Sequence, residues 1–214
     1  MAEVEDMRTA PGELDQVASA IHALIEQTVR MVDDQPGFSD DVAWAAAQID
    51  AIRERLARHA KAVQLNLGGP ADPPDGRPYY VSGVIGGSYH PMTMPVELET
   101  KDGVTTGRVN LDIVWEGPPG CLHGGYVAHL FDGILGQHNL NVGIPGMTGT
   151  LSVRYRSPTP LLTDLHFEVR TGDRDGRKIT TRGSLFHGDT LCAEAEGIFI
   201  VPEALPGGIR VPRD

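Results

Sequence analysis

The sequence predicts an α+β chain in which one antiparallel sheet curls around a single buried helix, with a pair of amphipathic helices ahead of it. Three observations predict this. Apolar residues recur at helical spacing up to residue 67, and a Gly- and Pro-rich stretch then breaks the pattern. Beyond the break, short apolar runs alternate in period two around one helix-length apolar segment.

Leu14, Val17, Ala18, Ile21, Leu24, Ile25, Val29 and Val32 recur three and four residues apart, and Pro36-Gly37 ends that helix. A second helix is expected from about Asp40, with Ser39 as its N-cap and Asp40 and Asp41 complementing the dipole. Its stripe is Val42, Ala45, Ile49, Ile52, Leu56 and Val63, so residues 1–67 read as an antiparallel helical hairpin. Residues 68–78, from Gly68 to Pro78, hold too much Gly and Pro for a regular element and mark a linker, with a second unit over 79–214.

In that unit Val96 to Glu99 leads through Asp102-Gly103 into a strand from Gly107 to Trp115, a hairpin by its turn chemistry. One helix spans about Gly124 to Asn141. Strands Thr148–Tyr155, Leu165–Thr171, Lys178–His187 and Thr190–Val201 follow, and Asp175-Gly176 and Gly188-Asp189 at the last two turns predict a meander. The helix carries Tyr126, Val127, Ala128, Leu130, Phe131, Ile134 and Leu135, so it must be enclosed on most sides.

The 214 residues suffice for one domain with a full core, or for a compact domain with an extra segment. A net charge of −11 argues against nucleic acid, whose phosphates need clustered Lys and Arg. No apolar run reaches the ~18 residues of a membrane span. The acidic start, Met1 to Met7, lacks the basic and apolar regions of a secretory signal, so a cytoplasmic location is expected. Cys121 and Cys192 form neither a disulfide framework nor a metal-ligand spacing and read as ordinary buried thiols.

The chemistry concentrates in Glu116-Gly117-Pro118-Pro119-Gly120-Cys121-Leu122-His123-Gly124-Gly125, which runs into the helix carrying Asp132. Adjacent glycines cost a helix roughly 1 kcal/mol each relative to Ala, so a start at His123-Gly124-Gly125 gives up stability for close backbone approach. The first amides of a helix lack internal partners and sit at the positive end of its dipole, which suits an oxygen gathering negative charge. Asp132, between apolar neighbours, is exposed, paired or functional, because an unpaired buried carboxylate costs several kcal/mol. A carboxylate poised near such an amide can activate water or attack a carbonyl.

Gly124 and Asp132 are eight residues apart, roughly 12 Å along a helix axis, too far for both to touch one reacting carbon. Two helices side by side and antiparallel about a two-fold axis would bring the amide of one level with the carboxylate of the other. A homodimer with composite sites is therefore expected, with a tetramer left open. His123 either fills the polar entry of the helix or helps orient the loop and the carbonyl. His129 and His138 have no metal spacing with Asp132, and Cys121 has no sign of a thiol nucleophile.

These residues resemble the hotdog-fold thioesterases, in particular the group of the phenylacetic-acid-pathway thioesterases and the mitochondrial acyl-CoA thioesterases of the carboxyl-terminal modulator protein type. The likeness covers about Val96 to Val201 and includes Thr148-Gly149-Thr150-Leu151-Ser152-Val153-Arg154-Tyr155-Arg156-Ser157-Pro158. It implies hydrolysis of an acyl-CoA thioester to a free acid and CoA, with no metal or cofactor. It further implies that Asp132 acts as general base or nucleophile, that the Gly124 N–H polarises the carbonyl, that Thr148 places the water and that His123 supports the loop. Gly117, Gly125, Arg154 and Arg156 are candidate substrate-binding positions, the arginines toward the CoA phosphates. Some relatives carry Asn where Gly117 stands here, which throws oxyanion stabilisation onto Gly124. A non-catalytic acyl-CoA sensor and an enoyl-CoA hydratase or dehydratase are the alternative readings. Acyl length and carrier, CoA or acyl carrier protein, stay open.

Overall fold

A computed structural model describes residues 13–32, 36–59 and 90–201. Helices α1 (Glu13–Val29) and α2 (Phe38–Ala57) come first. Strands β1 (Glu97–Lys101) and β2 (Val104–Asn110), a 3-10 turn (Ile113–Trp115) and helix α3 (Gly124–Asn141) follow. The chain then forms β3 (Met147–Tyr155), β4 (Asp164–Asp175), β5 (Lys178–His187) and β6 (Thr190–Ile200). All six strands pair antiparallel in the order β1-β2-β4-β5-β6-β3, which leaves β3 at one edge. The α+β class and the central helix are as expected. The linker 68–78, Val63 and residues 202–214 lie outside the described residues.

Helix α3 touches β3, β4, β5 and β6, so the sheet encloses it from four strands. Val127, Leu130, Phe131, Ile134 and Leu135 are buried against Leu165, Phe167, Val169, Ile179, Leu185, Ala193 and Phe199. Burying each such side chain contributes about 1.5–3 kcal/mol. The helix comes close where the sheet carries glycine. A Cβ on Gly183 would lie 3.0 Å from Leu135 Cδ2, and one on Gly197 would lie 3.2 Å from Leu135 Cδ1.

The far end of α3 is polar inside. His138 and Asn139 are fully buried. The His138 ring meets Thr105 Oγ1 at 2.7 Å and Thr171 Oγ1 at 3.0 Å, and burial lowers its pKa. Asn139 Oδ1 accepts from Thr181 Oγ1 at 2.7 Å, while its Nδ2 is buried without a partner among the described residues.

Several boundaries differ from expectation. The predicted strand to Trp115 stops at Asn110, because the Asp112 side chain accepts from Val114 N at 2.9 Å and caps the 3-10 turn instead of continuing the ladder. Helix α2 begins at Phe38 with Gly37 at the cap position (φ 85°), so Ser39 lies inside the first turn and caps nothing. Helix α1 contacts the 3-10 turn, with Ala18 and His22 beside Trp115, and leaves Val17, Ile21 and Leu24 exposed. No described side chain of α2 is buried. Cys192 is buried, with its thiol pKa pushed up by burial, whereas Cys121 is only half-buried; both are free.

Candidate active site

The site is built on a tight loop between Trp115 and His123. Gly117 N donates to Cys121 O at 2.9 Å, Cys121 N to Pro118 O at 2.8 Å and Gly120 N to Glu116 Oε1 at 2.7 Å, with Gly120 at φ 73°. His123 N donates to Trp115 O at 2.9 Å and closes the loop at the helix start. At Gly117 the requirement is space. A Cβ there would stand 2.7 Å from His123 Cα. No side chain fits in that direction, so Gly117 lets the loop fold back on the helix start.

His123 is the N-cap of α3. Its Nδ1 accepts from Gly125 N at 3.0 Å, and its carbonyl accepts from Tyr126 N at 2.9 Å and Val127 N at 3.1 Å. Three of the first four amides are thereby satisfied. Among the described residues, Gly124 N–H alone of these four has no partner. The His-Gly-Gly start thus selects one amide for an external acceptor.

Strand β3 runs alongside α3 and touches it at two levels. Near the helix start, Tyr155 Oη donates to Gly124 O at 2.7 Å; two turns on, Thr148 Oγ1 donates to Asp132 Oδ1 at 2.7 Å. Leu151 and Val153 pack on the helix side, and simple alternation would continue to position 149 rather than to Thr148. A bulge solves this. The pairing steps from Thr150↔Ile198 to Thr148↔Phe199, so Gly149 is the extra residue and Thr148 is turned toward Asp132.

A cleft of about 700 Å³ opens beside the helix start. Met92, Val114, Trp115, Tyr126 and His129 line it, with His123 and Gly125 at one side. Tyr126 stands edge-on to both Trp115 (4.9 Å between ring centres) and His123 (5.8 Å). Asp132 is exposed and does not line this cleft. The structure therefore brings His123, Gly124 and Gly125 together at one level, and Asp132 with Thr148 at another. Arg154 and Arg156 reach neither group. Glu194 Oε1 takes both, at 3.8 Å from Arg154 Nη1 and 2.5 Å from Arg156 Nη2.

The sequence reading missed Tyr155, the aromatic wall of Trp115 and Tyr126, and His22. An isolated Gly inside a strand pattern is a bulge signal, so the turning of Thr148 had a local sign at Gly149. Tyr155 had none, because its role depends on how β3 lies against α3.

No protein-family model matches the chain. It is 33% identical over 87 residues to acyl-coenzyme A thioesterase THEM4 of Xenopus laevis, covering 40% of this chain and 39% of that protein. Against the protein of the same name from Mus musculus it is 32% identical over 87 residues, covering 40% and 37%. The chain therefore spans about two fifths of the length of the curated relatives it matches. The crystal structure of a thioesterase superfamily protein matches far more of it, at 32% identity over 88% of this chain and 95% of that one, with a TM-score of 0.74. The family likeness expected over about Val96 to Val201 thus extends over nearly the whole length of a solved relative. The chain belongs to the thioesterase superfamily.

Proposed function

We propose that the protein hydrolyses acyl-CoA thioesters, releasing a free acid and CoA, in composite sites formed by two copies. The observation that carries this reading is the pairing of one unsatisfied amide, Gly124 N–H, with a carboxylate, Asp132, already oriented by Thr148. The thioester carbonyl oxygen accepts from Gly124 N–H at the positive end of α3. Asp132 of the other copy takes a proton from water as the water oxygen attacks the carbonyl carbon, or attacks it directly to form an anhydride that water then opens. The carbon–sulfur bond breaks, and the CoA sulfur leaves as thiolate and takes up a proton. Thr148 occupies Oδ1 and leaves Oδ2 for this work.

Sharing between copies is supported by the edge position of β3, whose outer side has no partner strand among the described residues. Arg154 and Arg156 are 75% and 47% exposed despite Glu194, and the free prongs of their guanidinium forks suit the CoA phosphates.

Asp132→Asn is expected to keep the oligomer and acyl-CoA binding while thiol release falls by at least ~10³-fold. Unchanged turnover would refute the assignment. Wild-type protein that binds acyl-CoA without turnover would point instead to a sensor. Label found in the Asp132 carboxylate after single-turnover hydrolysis in ¹⁸O-water would identify the anhydride route, with water opening the anhydride at the Asp132 carbonyl carbon.

A further inference from the structure

The proposed reaction does not use His22, on α1, yet its environment is demanding. Nδ1 lies 2.7 Å from Pro91 O and Nε2 lies 2.7 Å from Asp112 Oδ2. A carbonyl can only accept, and an ionised carboxylate can only accept, so both ring nitrogens must donate. Only the imidazolium does that. A neutral ring would turn a lone pair toward one of the two oxygens.

What the two acceptors hold gives this geometry its meaning. Pro91 precedes Met92, and Asp112 caps the turn that carries Val114 and Trp115; Met92, Val114 and Trp115 line the cleft beside Gly125. The His22 ring also stacks on Trp115, with centroids 6.2 Å apart at 29°. On the far side of Trp115 lies a second cavity of about 460 Å³, bordered by Ala18, His22, Glu26, His90 and Asp112. Trp115 is the one residue common to both linings, a partition between two spaces. Trp115 is itself buried, and the His22 ring is its polar neighbour on the side of this second cavity.

We propose that His22 is a positioning residue for the thioester cleft, an imidazolium that ties α1 to Pro91 and Asp112 and so sets the wall of Met92, Val114 and Trp115. The inference rests on the function proposed above. Three titratable groups face the His22 ring or line its cavity: Asp112 from the turn, Glu26 from α1 and His90 from the segment before Pro91. Burial pulls the His22 pKa down, but the Asp112 hydrogen bond, the Pro91 carbonyl and the charges of Asp112 and Glu26 outweigh it, and the net shift is upward. The clamp is thus fully formed below the unfolded value of about 6.5 and is lost as pH rises through the raised folded pKa.

The test uses the full chain with Trp44→Phe, which leaves Trp115 as the single tryptophan and alters only an exposed residue of α2. An imidazolium quenches a stacked indole, so Trp115 emission should rise with pH in one step above about 6.5. The step should vanish in His22→Gln and move to lower pH in Asp112→Asn, which keeps an oxygen to cap Val114. A thioether analogue of octanoyl-CoA should bind His22→Gln roughly three- to ten-fold more weakly at pH 6, with kcat for the thioester changed less than about two-fold. Wild-type affinity should fall toward the variant's as pH passes the emission step, while the variant stays flat. Equal affinities and parallel pH profiles, or an emission step that survives His22→Gln, would overturn the proposal. Absence of both binding and hydrolysis in the wild type would instead sink the function on which it rests, and the emission step would still report whether His22 is the clamp.

Discussion

Gly117→Ala tests whether the loop geometry, rather than residue chemistry, sets the helix start. The added Cβ would sit 2.7 Å from His123 Cα and 3.0 Å from its Cβ, both close to or part of the main chain, so no flexible group can yield. Restoring a carbon–carbon contact of about 3.5 Å moves the cap residue by about 0.8 Å. Overpacking of this kind costs about 1–3 kcal/mol. At about 2–4 °C per kcal/mol for a chain of this size, Tm should fall by about 2–12 °C at fixed protein concentration. The catalytic loss should be larger than that stability loss suggests. A misplacement near 1 Å costs up to about 100-fold, and Gly124 N–H follows His123 directly, so kcat/KM should drop about 10- to 100-fold. Gly124→Ala is the control, since its Cβ would meet the Tyr155 ring at 3.4 Å, an ordinary contact, and its Tm should hold. Scanning fluorimetry and thiol release from acyl-CoA measure both. A Gly117→Ala protein with wild-type Tm and turnover would refute the reasoning.

Thr148→Val keeps shape and removes the donor to Asp132, so kcat should fall about 10-fold while Thr148→Ser retains most of it; equal rates for the two variants would remove Thr148 from the site. For His138 the pKa is lowered by burial, so the neutral ring is the folded form and its contribution, complete above about pH 6.5, is lost as pH falls through the lowered pKa. The urea midpoint should decline on that acid side in wild type and less in His138→Gln; an unchanged slope would exclude His138 as its source. Asn139→Leu strands the buried Thr181 hydroxyl and should cost about 1–3 kcal/mol in urea unfolding, whereas Asn139→Leu with Thr181→Val should recover most of it. A double variant no better than the single would contradict the pairing.

The elements most legible in the sequence were those whose pattern is set by burial on one side. Strand β5 and helix α3 have their expected bounds, because alternation around Ile179 and Leu185 and the apolar run after Gly124 each permit one register against a common core. The pattern failed where a side chain competed with the backbone. Asp112 diverted the chain after β2, which no count of apolar residues from Gly107 to Trp115 could show. In α1 the stripe of Val17, Ile21 and Leu24 pointed away from the face in contact, since His22, a polar residue, makes the decisive bonds. Within the site, His123, Gly124, Asp132 and Thr148 were legible because odd residue types in an apolar helix demand a cause. Their separation into two levels followed from helical rise alone. Tyr155 was not legible, because its bond to Gly124 depends on tertiary register.

The two levels explain why β3 matters more to the proposed chemistry than its edge position suggests. It supplies Tyr155 to the carbonyl of Gly124 and Thr148 to Asp132, so a single strand fixes both ends of α3's working stretch. In one chain that stretch is wet: His123, Gly125, Asp132 and Thr148 are exposed, and Met147 and Tyr155 expose 69% and 54% of their surface beside them. An amide and a carboxylate in water stabilise little charge, because solvent already satisfies them. Pairing two copies across β3 would cover the apolar side chains at the sheet edge and dry both levels at once. The same contact that assembles a composite site would then also give Gly124 N–H and Asp132 the low-dielectric surroundings in which their placement lowers a barrier.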